Sequence, residues 1–281
     1  MTRALEIGGR AFVLGTRTYV MGIINVTPDS FSDGGLCLDP DRAAEWARQL
    51  VAQGADLLDL GAESTRPGSR PVDAATEQAR LLPALTAVRK VVDVPLSVDT
   101  YKAEVAAAAL RAGADLINDI SGLTADPAMA PLAAAAGVPV ILMHRRPFDD
   151  PYPGDVWDDV LRGLRRSIAL AEAAGVSRDR LIVDPGFGFG KTDAQNLQLV
   201  RELSRLRELG LPTLLGPSRK STLGRLLDLP VTEREEATAA VTALAVAQGV
   251  DFVRVHDVAA ATRVVRTADA VVRGVAVPGA P

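Results

Sequence analysis

The sequence predicts an α/β protein, a (β/α)8 barrel of the TIM type, and three observations lead to this prediction. Short β-rich runs alternate with Ala- and Leu-rich amphipathic segments, as expected for βα units around a parallel sheet. Eight such runs occur between residues 19 and 256, and their starts are about 33 residues apart, which suits a strand, a helix and two loops. Several helices that precede a strand end in Gly-Ala-Asp or Gly-Val, where Gly is the left-handed stop.

The predicted strands follow one another along the chain after a short hairpin. Residues 4–7 and 10–14 flank Gly8-Gly9 and predict a β-hairpin that covers one end of the barrel. Eight strands either close into a barrel or stay open as a doubly wound sheet, and the nearly even spacing favours closure. The predicted strands are residues 19–26, 57–61, 96–99, 116–120, 140–143, 181–184, 213–215 and 252–256.

The domain organisation predicted is a single domain over residues 1–281, in which residues 1–15 form the hairpin and residues 274–281 a frayed tail. No linker, low-complexity tract or change in composition divides the chain elsewhere. Hydrophobic residues make up 48% of the chain and charged residues 23%, which supplies a core and a solvated exterior. This composition excludes intrinsic disorder.

Charge and cysteine content limit the partners and the compartment. The net charge of -4 lacks the basic excess that sequence-independent binding to nucleic acid needs. The single Cys37 cannot form an internal disulfide, and His144 and His256 are too few for a Cys/His zinc cluster. The chain starts without an apolar signal region, and its longest uncharged run, residues 127–143, is too short and too broken to span a bilayer. We therefore expect a cytoplasmic protein that binds neither nucleic acid nor membranes.

Polar residues collect at the ends of the predicted strands. In a barrel, the C-terminal ends of the strands form the face where chemistry takes place. For any one of these residues, a purely structural role at a rim of the barrel is as good an explanation as a role in a functional site. For the whole set, the structural explanation is poor. The set comprises Asn25, Asp59, Glu63, Asp99, Asn118, Asp119, His144, Asp184, residues 218–220 and residues 254–257.

The residue types in this set converge on one kind of ligand. Carboxylate and amide oxygens suit the planar donor edge of a ring, and cationic donors suit an anion. The pocket predicted therefore takes an amidine-like ring with a phosphate tail. The acceptors are Asp99, Asn118 and Asp184, and the donors are Lys220, Arg254 and His256.

Residues 185–192, Pro-Gly-Phe-Gly-Phe-Gly-Lys-Thr, are close to a phosphate-binding P-loop. Pro185 stands where that motif needs Gly, removes an N–H donor and fixes φ. The segment also follows the sixth strand, whereas P-loops usually follow an early one, so a nucleoside triphosphatase is disfavoured. We expect the glycines instead to let the backbone approach a flat ligand.

A long polar loop follows the first predicted strand. Residues 24–35 leave that strand at Asn25 and continue through small polar residues. Turn chemistry alone explains Pro28-Asp29, but Phe31 is an apolar ring in a polar loop with little to cover. The Phe31 ring therefore favours the interpretation that this loop is a mobile lid that covers a bound substrate.

Three further positions differ in how specific they are. Arg66, within residues 61–68, is either an anion clamp or a solvated charge, and judged alone the second is favoured. Residues 216–221 place two cations after the seventh strand, where barrels often bind phosphate. His144 precedes two arginines that would hold it as a structural residue. No Gly-x-Ser-x-Gly motif occurs, so a serine hydrolase has no support.

Seven motifs together resemble one family, the dihydropteroate synthases of folate biosynthesis, over about residues 5–270 and in the family's order. One segment departs from the family, because Arg145-Arg146-Pro147 follows Met143-His144 where the family continues with Met or Trp and a longer polar loop. The motifs are Asn25-Val-Thr-Pro-Asp-Ser-Phe-Ser-Asp-Gly-Gly35, Glu63-Ser-Thr-Arg-Pro-Gly68, Ser97-Val-Asp-Thr100, Asn118-Asp-Ile-Ser-Gly122, Asp184-Pro-Gly-Phe-Gly-Phe-Gly-Lys191, Ser218-Arg-Lys220 and Arg254-Val-His256.

The resemblance implies a homodimeric enzyme that joins (7,8-dihydropterin-6-yl)methyl diphosphate to 4-aminobenzoate and releases diphosphate with Mg²⁺. The resemblance implies that the pterin pocket consists of Asp99, Asn118, Asp184 and Lys220, and that Phe189 also binds substrate. It implies Asn25 as the magnesium ligand and Thr65, Arg254 and His256 as the diphosphate contacts. Phe31 and Asp33 would belong to the first mobile loop, Arg66, Pro67 and Ser221 would lie near the aminobenzoate, and the catalytic residues would be Asp33, Asp99 and Lys220.

The implied chemistry agrees with the pocket read from the residues. Cleavage of the methylene–oxygen bond in an SN1-like step leaves positive charge on the ring and negative charge on the diphosphate. Asp99 would stabilise the ring, and the cationic donors would stabilise the diphosphate. Two alternatives remain. A silent pterin-binding paralogue would lack residues of the first two loops, which are complete here. A pterin-dependent methyltransferase domain is expected beside a cobalamin module, for which 281 residues leave no space.

Overall fold

The barrel is present in the computed structural model, which describes residues 4–27, 39–64, 69–147, 150, 152 and 154–274. The strands are β1 (Ala4–Ile7), β2 (Arg10–Val13), β3 (Tyr19–Asn25), β4 (Leu57–Gly61), β5 (Leu96–Asp99), β6 (Leu116–Asp119), β7 (Val140–Met143), β8 (Leu181–Asp184), β9 (Leu214–Leu215) and β10 (Phe252–Val255). Eight parallel strands form one sheet in the order β8-β7-β6-β5-β4-β3-β10-β9, and a bridge between Val183 and Thr213 joins its two ends.

The predicted (β/α)8 barrel is therefore confirmed. Four predicted strands have the observed bounds, and the other four each extend one residue too far at one end. Helices lie between the strands, and short 3₁₀ helices occur at Arg178–Arg180, Leu203–Leu209 and Val231–Glu233. The helices are α1 (Pro40–Ala52), α2 (Ala74–Arg89), α3 (Ala103–Arg111), α4 (Met129–Ala136), α5 (Val156–Ala173), α6 (Asp193–Arg201), α7 (Ser221–Leu227), α8 (Glu235–Ala247) and α9 (Val258–Arg273).

Local sequence signals set the helix ends. The side chains of Asp39, Asp73, Asp155 and Asp257 each accept a backbone N–H in the first turn of the helix that follows. The predicted glycine stops all have positive φ, for example 64° at Gly137. Within the described ranges, no helix has both the length and the apolar composition needed to cross a membrane.

The N-terminal hairpin closes one end of the barrel, as predicted. β1 pairs antiparallel with β2, and Leu5, Ile7 and Phe12 pack in a cluster with the first residues of the barrel strands. The Phe12 ring contacts that of Tyr19 edge-on, with centroids 4.9 Å apart, and lies 5.7 Å from that of Phe252. The C-terminal ends of the strands remain at the opposite face.

Candidate active site

A cavity of about 330 Å³ opens at the C-terminal ends of the strands. Residues from the ends of β3, β5 and β10 and from the loops after β8 and β9 share its wall, as expected for a barrel of this type. The predicted site residues in the wall are Asn25, Asp99, Phe189, Lys220, Ser221, Arg254 and His256.

Charged side chains form a connected floor beneath the cavity. The Arg254 guanidinium donates from Nη2 to Asp99 Oδ2 at 2.7 Å and from Nε to Asp59 Oδ2 at 2.5 Å. Asn118 Nδ2 donates to the same Asp59 oxygen at 3.1 Å. Asp59 is completely buried, so it fixes Arg254 and Asn118 from below without reaching the cavity.

Two predicted acceptors have perturbed acidity. Burial raises the pKa of Asp99 to about 7, against the opposing effect of the Arg254 charge. Burial also raises the pKa of Asp184 to about 6, although its Oδ1 accepts the Gly186 N–H at 2.7 Å and the Lys220 charge lies near. Both carboxyl groups therefore titrate close to neutral pH.

Two of the predicted anion donors, Lys220 and His256, lie in the wall of the cavity. Lys220 Nζ lies 3.9 Å from the centre of the Phe189 ring, a contact that holds the ammonium group beside the cavity. The backbone N–H of His256 donates to Ser218 Oγ at 3.1 Å, and that oxygen lies 2.8 Å from His256 Nδ1. The Ser218 hydroxyl therefore holds the His256 imidazole at the cavity wall.

A strained residue sets the direction of the Lys220 loop. Arg219 has φ of 56°, a left-handed conformation that costs an L-residue free energy. The start of α8 holds it there, because Arg219 forms an ion pair with Glu235 and its N–H donates to Thr238 Oγ1 at 3.1 Å. Arg234 also donates to the Arg219 carbonyl at 3.1 Å.

The P-loop-like segment closes on itself and on the loop that follows β7. Lys191 is buried and donates to the carbonyls of Gly186 at 2.9 Å and Phe189 at 3.1 Å, so its ammonium group braces its own loop. Burial lowers the pKa of Lys191 to about 7. A Cβ at Gly186 or Gly190 would lie within 2 Å of the carbonyl oxygen of His144 or Arg146. Glycine at these two positions thus allows the close approach of the loop that follows β7, and this contact, not a flat ligand, explains the lack of a side chain there.

His144 is a buried structural residue, in line with one of its two predicted interpretations. Its Nε2 lies 3.4 Å from Asp159 Oδ2, and its ring fills the space beside Gly163. Burial, with the nearby Lys191 charge, lowers the pKa of His144 to about 3, so the imidazole is neutral.

Some site residues escaped the sequence analysis, and some lie outside the described residues. Asp59 was recognised only as a polar strand residue, although a carboxylate within the buried run Leu-Leu-Asp-Leu-Gly signals an internal charge partner. Lys102, which pairs with Glu63 and Glu77, had no such signal. Five predicted residues fall outside the described ranges: Phe31, Asp33, Thr65, Arg66 and Pro67.

Comparison with known proteins agrees with this geometry. The family of pterin-binding enzymes matches residues 21–256. The dihydropteroate synthase of Clostridium beijerinckii is 47% identical over 96% of this chain and 100% of that protein. That of Xanthomonas albilineans, solved with 4-aminobenzoic acid, is 43% identical with a TM-score of 0.90 and full coverage of both chains. Another Xanthomonas albilineans structure, in complex with 7,8-dihydropteroate, is 41% identical with a TM-score of 0.86, covering 99% and 100%. This chain therefore belongs to the dihydropteroate synthase family of pterin-binding enzymes.

Proposed function

We propose that this chain is a transferase that condenses (7,8-dihydropterin-6-yl)methyl diphosphate with 4-aminobenzoate to give 7,8-dihydropteroate and diphosphate. The bond between the methylene carbon and the diphosphate oxygen breaks, and its electron pair leaves with the diphosphate. The amino nitrogen of 4-aminobenzoate forms the new bond to carbon and loses a proton. The observation that carries this proposal is that the Asp99 carboxyl group and the cationic side chains of Lys220 and Arg254 line one cavity.

The acidic floor supplies recognition of the pterin. The Asp184 carboxylate accepts N–H bonds from the 2-amino pyrimidinone edge, and Asn118 adds an amide held in place by Asp59. Asp99 lies beside the reacting methylene group and, when ionised, stabilises positive charge on the ring. Asp33, on the first loop, shares this role. Phe189 covers one face of the pterin ring system.

The cationic wall stabilises the departing diphosphate. Lys220, Arg254 and His256 all border the cavity and donate to phosphate oxygens, with Thr65 adding a hydroxyl. Preorganised donors of this kind contribute roughly 3 kcal/mol each to the transition state, about a hundredfold in rate. Because positive charge on the ring and negative charge on the leaving group are stabilised separately, bond cleavage precedes attack by the amine in an SN1-like step. Arg66, Pro67 and Ser221 contact the aminobenzoate.

Mg²⁺ fits the donor set as an ion that arrives with the diphosphate. Magnesium commonly uses one or two protein oxygens together with substrate phosphates and water, and Asn25 places an amide at the cavity wall. Across the described ranges, no three His, Cys, Asp or Glu side chains group to hold a metal by themselves. Asn25 would thus hold the ion, which when bound neutralises charge on the leaving group.

The deciding experiment supplies the purified protein with the pterin diphosphate, Mg²⁺ and 4-aminobenzoate and measures 7,8-dihydropteroate by chromatography. Product formation supports the synthase, and pterin binding without product assigns a silent binder instead. Diphosphate release in the absence of the amine tests the order of steps. Cleavage that strictly follows amine concentration would contradict the dissociative step.

We further propose that the chain forms a cytoplasmic homodimer. Leu197 of α6, Leu226 and Leu227 of α7 and Leu244 of α8 are 37% to 58% exposed, and α6 contacts both α7 and α8. Leucines exposed on adjoining helices suit burial against a second copy of the chain. Light scattering on a Leu226→Glu, Leu227→Glu variant tests this, with a monomer as the expected result.

The proposed cytoplasmic location rests on the cysteine content, because a chain with the single Cys37 suits a reducing compartment.

A further inference from the structure

A second cavity of about 390 Å³ lies outside the candidate active site. It is bounded by the residues after β6, the residues after β7 and the first half of α5. Four arginines line it, Arg145, Arg146, Arg162 and Arg166, against two carboxylates, Asp150 and Asp159. We call it the arginine cavity. It includes the Arg145-Arg146 pair that follows His144.

Both carboxylates in the arginine cavity are already engaged. Asp159 accepts from Arg146 Nη1 at 3.2 Å through each of its oxygens and from Arg162 Nη2 at 2.6 Å. Asp150 forms an ion pair with Arg146 Nη2 at 2.5 Å. Asp159 is buried, so this arrangement fixes Arg146 within the cavity wall. These two carboxylates therefore neutralise Arg146 and Arg162, and neither of them pairs with Arg145 or Arg166.

Arg145 and Arg166 form no ion pair with a carboxylate among the residues that the structure describes. The guanidinium of Arg145 lies 6.0 Å from the centre of the Tyr101 ring, a long contact with an aromatic face. His144, also in the wall, is neutral and adds no charge. The Arg145 charge also acts on the buried carboxyl of Asp119, which does not line the cavity. The described residues that line the cavity carry a net charge of about +2 at neutral pH, in a chain whose total is -4.

Hydroxyl side chains also border the arginine cavity. Ser121, Thr124 and Ser167 lie in the same wall as the arginines. Hydroxyl groups can donate to an oxyanion, so the lining offers neutral donors beside the cationic ones.

From this arrangement we propose that the arginine cavity binds a phosphate-type oxyanion at a site separate from the active site. The two guanidinium groups that form no ion pair among the described residues match the two negative charges of such a group, and their planar forks suit phosphate oxygens in pairs. Inorganic phosphate, diphosphate and a phosphate ester share this chemistry. The wall is tied to the active site, since the His144 N–H donates to the Asp184 carbonyl at 2.9 Å. The proposal does not depend on the proposed reaction.

Calorimetric titration with inorganic diphosphate, and separately with inorganic phosphate, tests this site at constant ionic strength. Wild-type protein is expected to bind one equivalent more than the Arg145→Ala, Arg166→Ala variant. Each single substitution should weaken the second site about tenfold, the effect of losing one charged hydrogen bond. Stronger binding of diphosphate than of phosphate would assign both arginines to one diphosphate. Equal binding would assign them to a single phosphoryl group.

Arg165→Ala is the matched control, because Arg165 is also on α5 but pairs weakly with Glu208 at 3.6 Å and does not line the cavity. It should bind as the wild type does. Equal stoichiometry in wild type and the double variant, both with unchanged unfolding temperatures, would overturn the proposal. No turnover is measured, so this result and a failure of the synthase assay are distinguishable.

Discussion

Asp59 and Arg254 form a salt bridge inside the barrel, with Arg254 Nε 2.5 Å from an Asp59 carboxylate that has no exposed surface. One oxygen of Asp59 also accepts from Asn118, and the other has no partner. The carboxylate thus aligns two residues of the proposed pterin pocket while contacting neither substrate. Asp59 is a positioning residue.

Asp59→Asn should destabilise the fold by about 3 kcal/mol, since removing one member of a buried ion pair leaves the other uncompensated. KM for the pterin should rise together with a fall in kcat, because Arg254 and Asn118 both lose a fixed direction. Urea unfolding and steady-state kinetics measure the two effects. Asp56→Asn is the control, since Asp56 pairs with the half-exposed Arg17 and should cost about 1 kcal/mol or less. Equal effects for the two variants would show that Asp59 has no special role.

Asp184→Asn should weaken pterin binding by about 2 kcal/mol, roughly thirtyfold, because an acceptor facing the ring's N–H groups becomes a donor. Calorimetry with the substrate pterin and no 4-aminobenzoate measures this affinity. Unchanged affinity would remove Asp184 from the pocket. The unfolding temperature of the variant checks that the Gly186 contact made by Asp184 is not what has been lost.

Lys220→Ala should lower kcat about a hundredfold through the loss of one preorganised donor to the diphosphate. Lys90→Ala removes a lysine that is exposed at the end of α2 and should leave turnover unchanged. If kcat and KM for the pterin both stay at wild-type values after Lys220→Ala, Lys220 has no part in the reaction.

Activity should rise with pH as Asp184 and Asp99 ionise, since their pKa values are raised by burial to about 6 and about 7. The measurement is kcat/KM for the pterin between pH 5 and pH 8 at saturating 4-aminobenzoate. A flat profile over this window would contradict the need for ionised carboxylates. These groups bind protons more tightly when folded, so their contribution to the free energy of unfolding decreases as pH rises from about 4 to 7.

Strand order and bounds were predictable because a buried parallel strand is a short apolar run with a polar residue at its end, as in Leu96–Asp99. The convergence of Asp99, Lys220 and Arg254 on one face followed from the same topology. Single-domain organisation stays a prediction. The periodicity of the sequence does not indicate which atoms are in contact. It therefore did not predict that Lys191 donates to the carbonyls of its own loop, or that the start of α8 binds Arg219. Those depend on contacts between loops distant in sequence.

The apolar cluster of Leu5, Ile7 and Phe12 covers the end of the barrel opposite the cavity. A small molecule that reaches the charged floor therefore enters from the side of the loops that follow the strands. Sequence changes in these loops can thus alter access to the floor without disturbing the apolar packing that holds the opposite end of the barrel together.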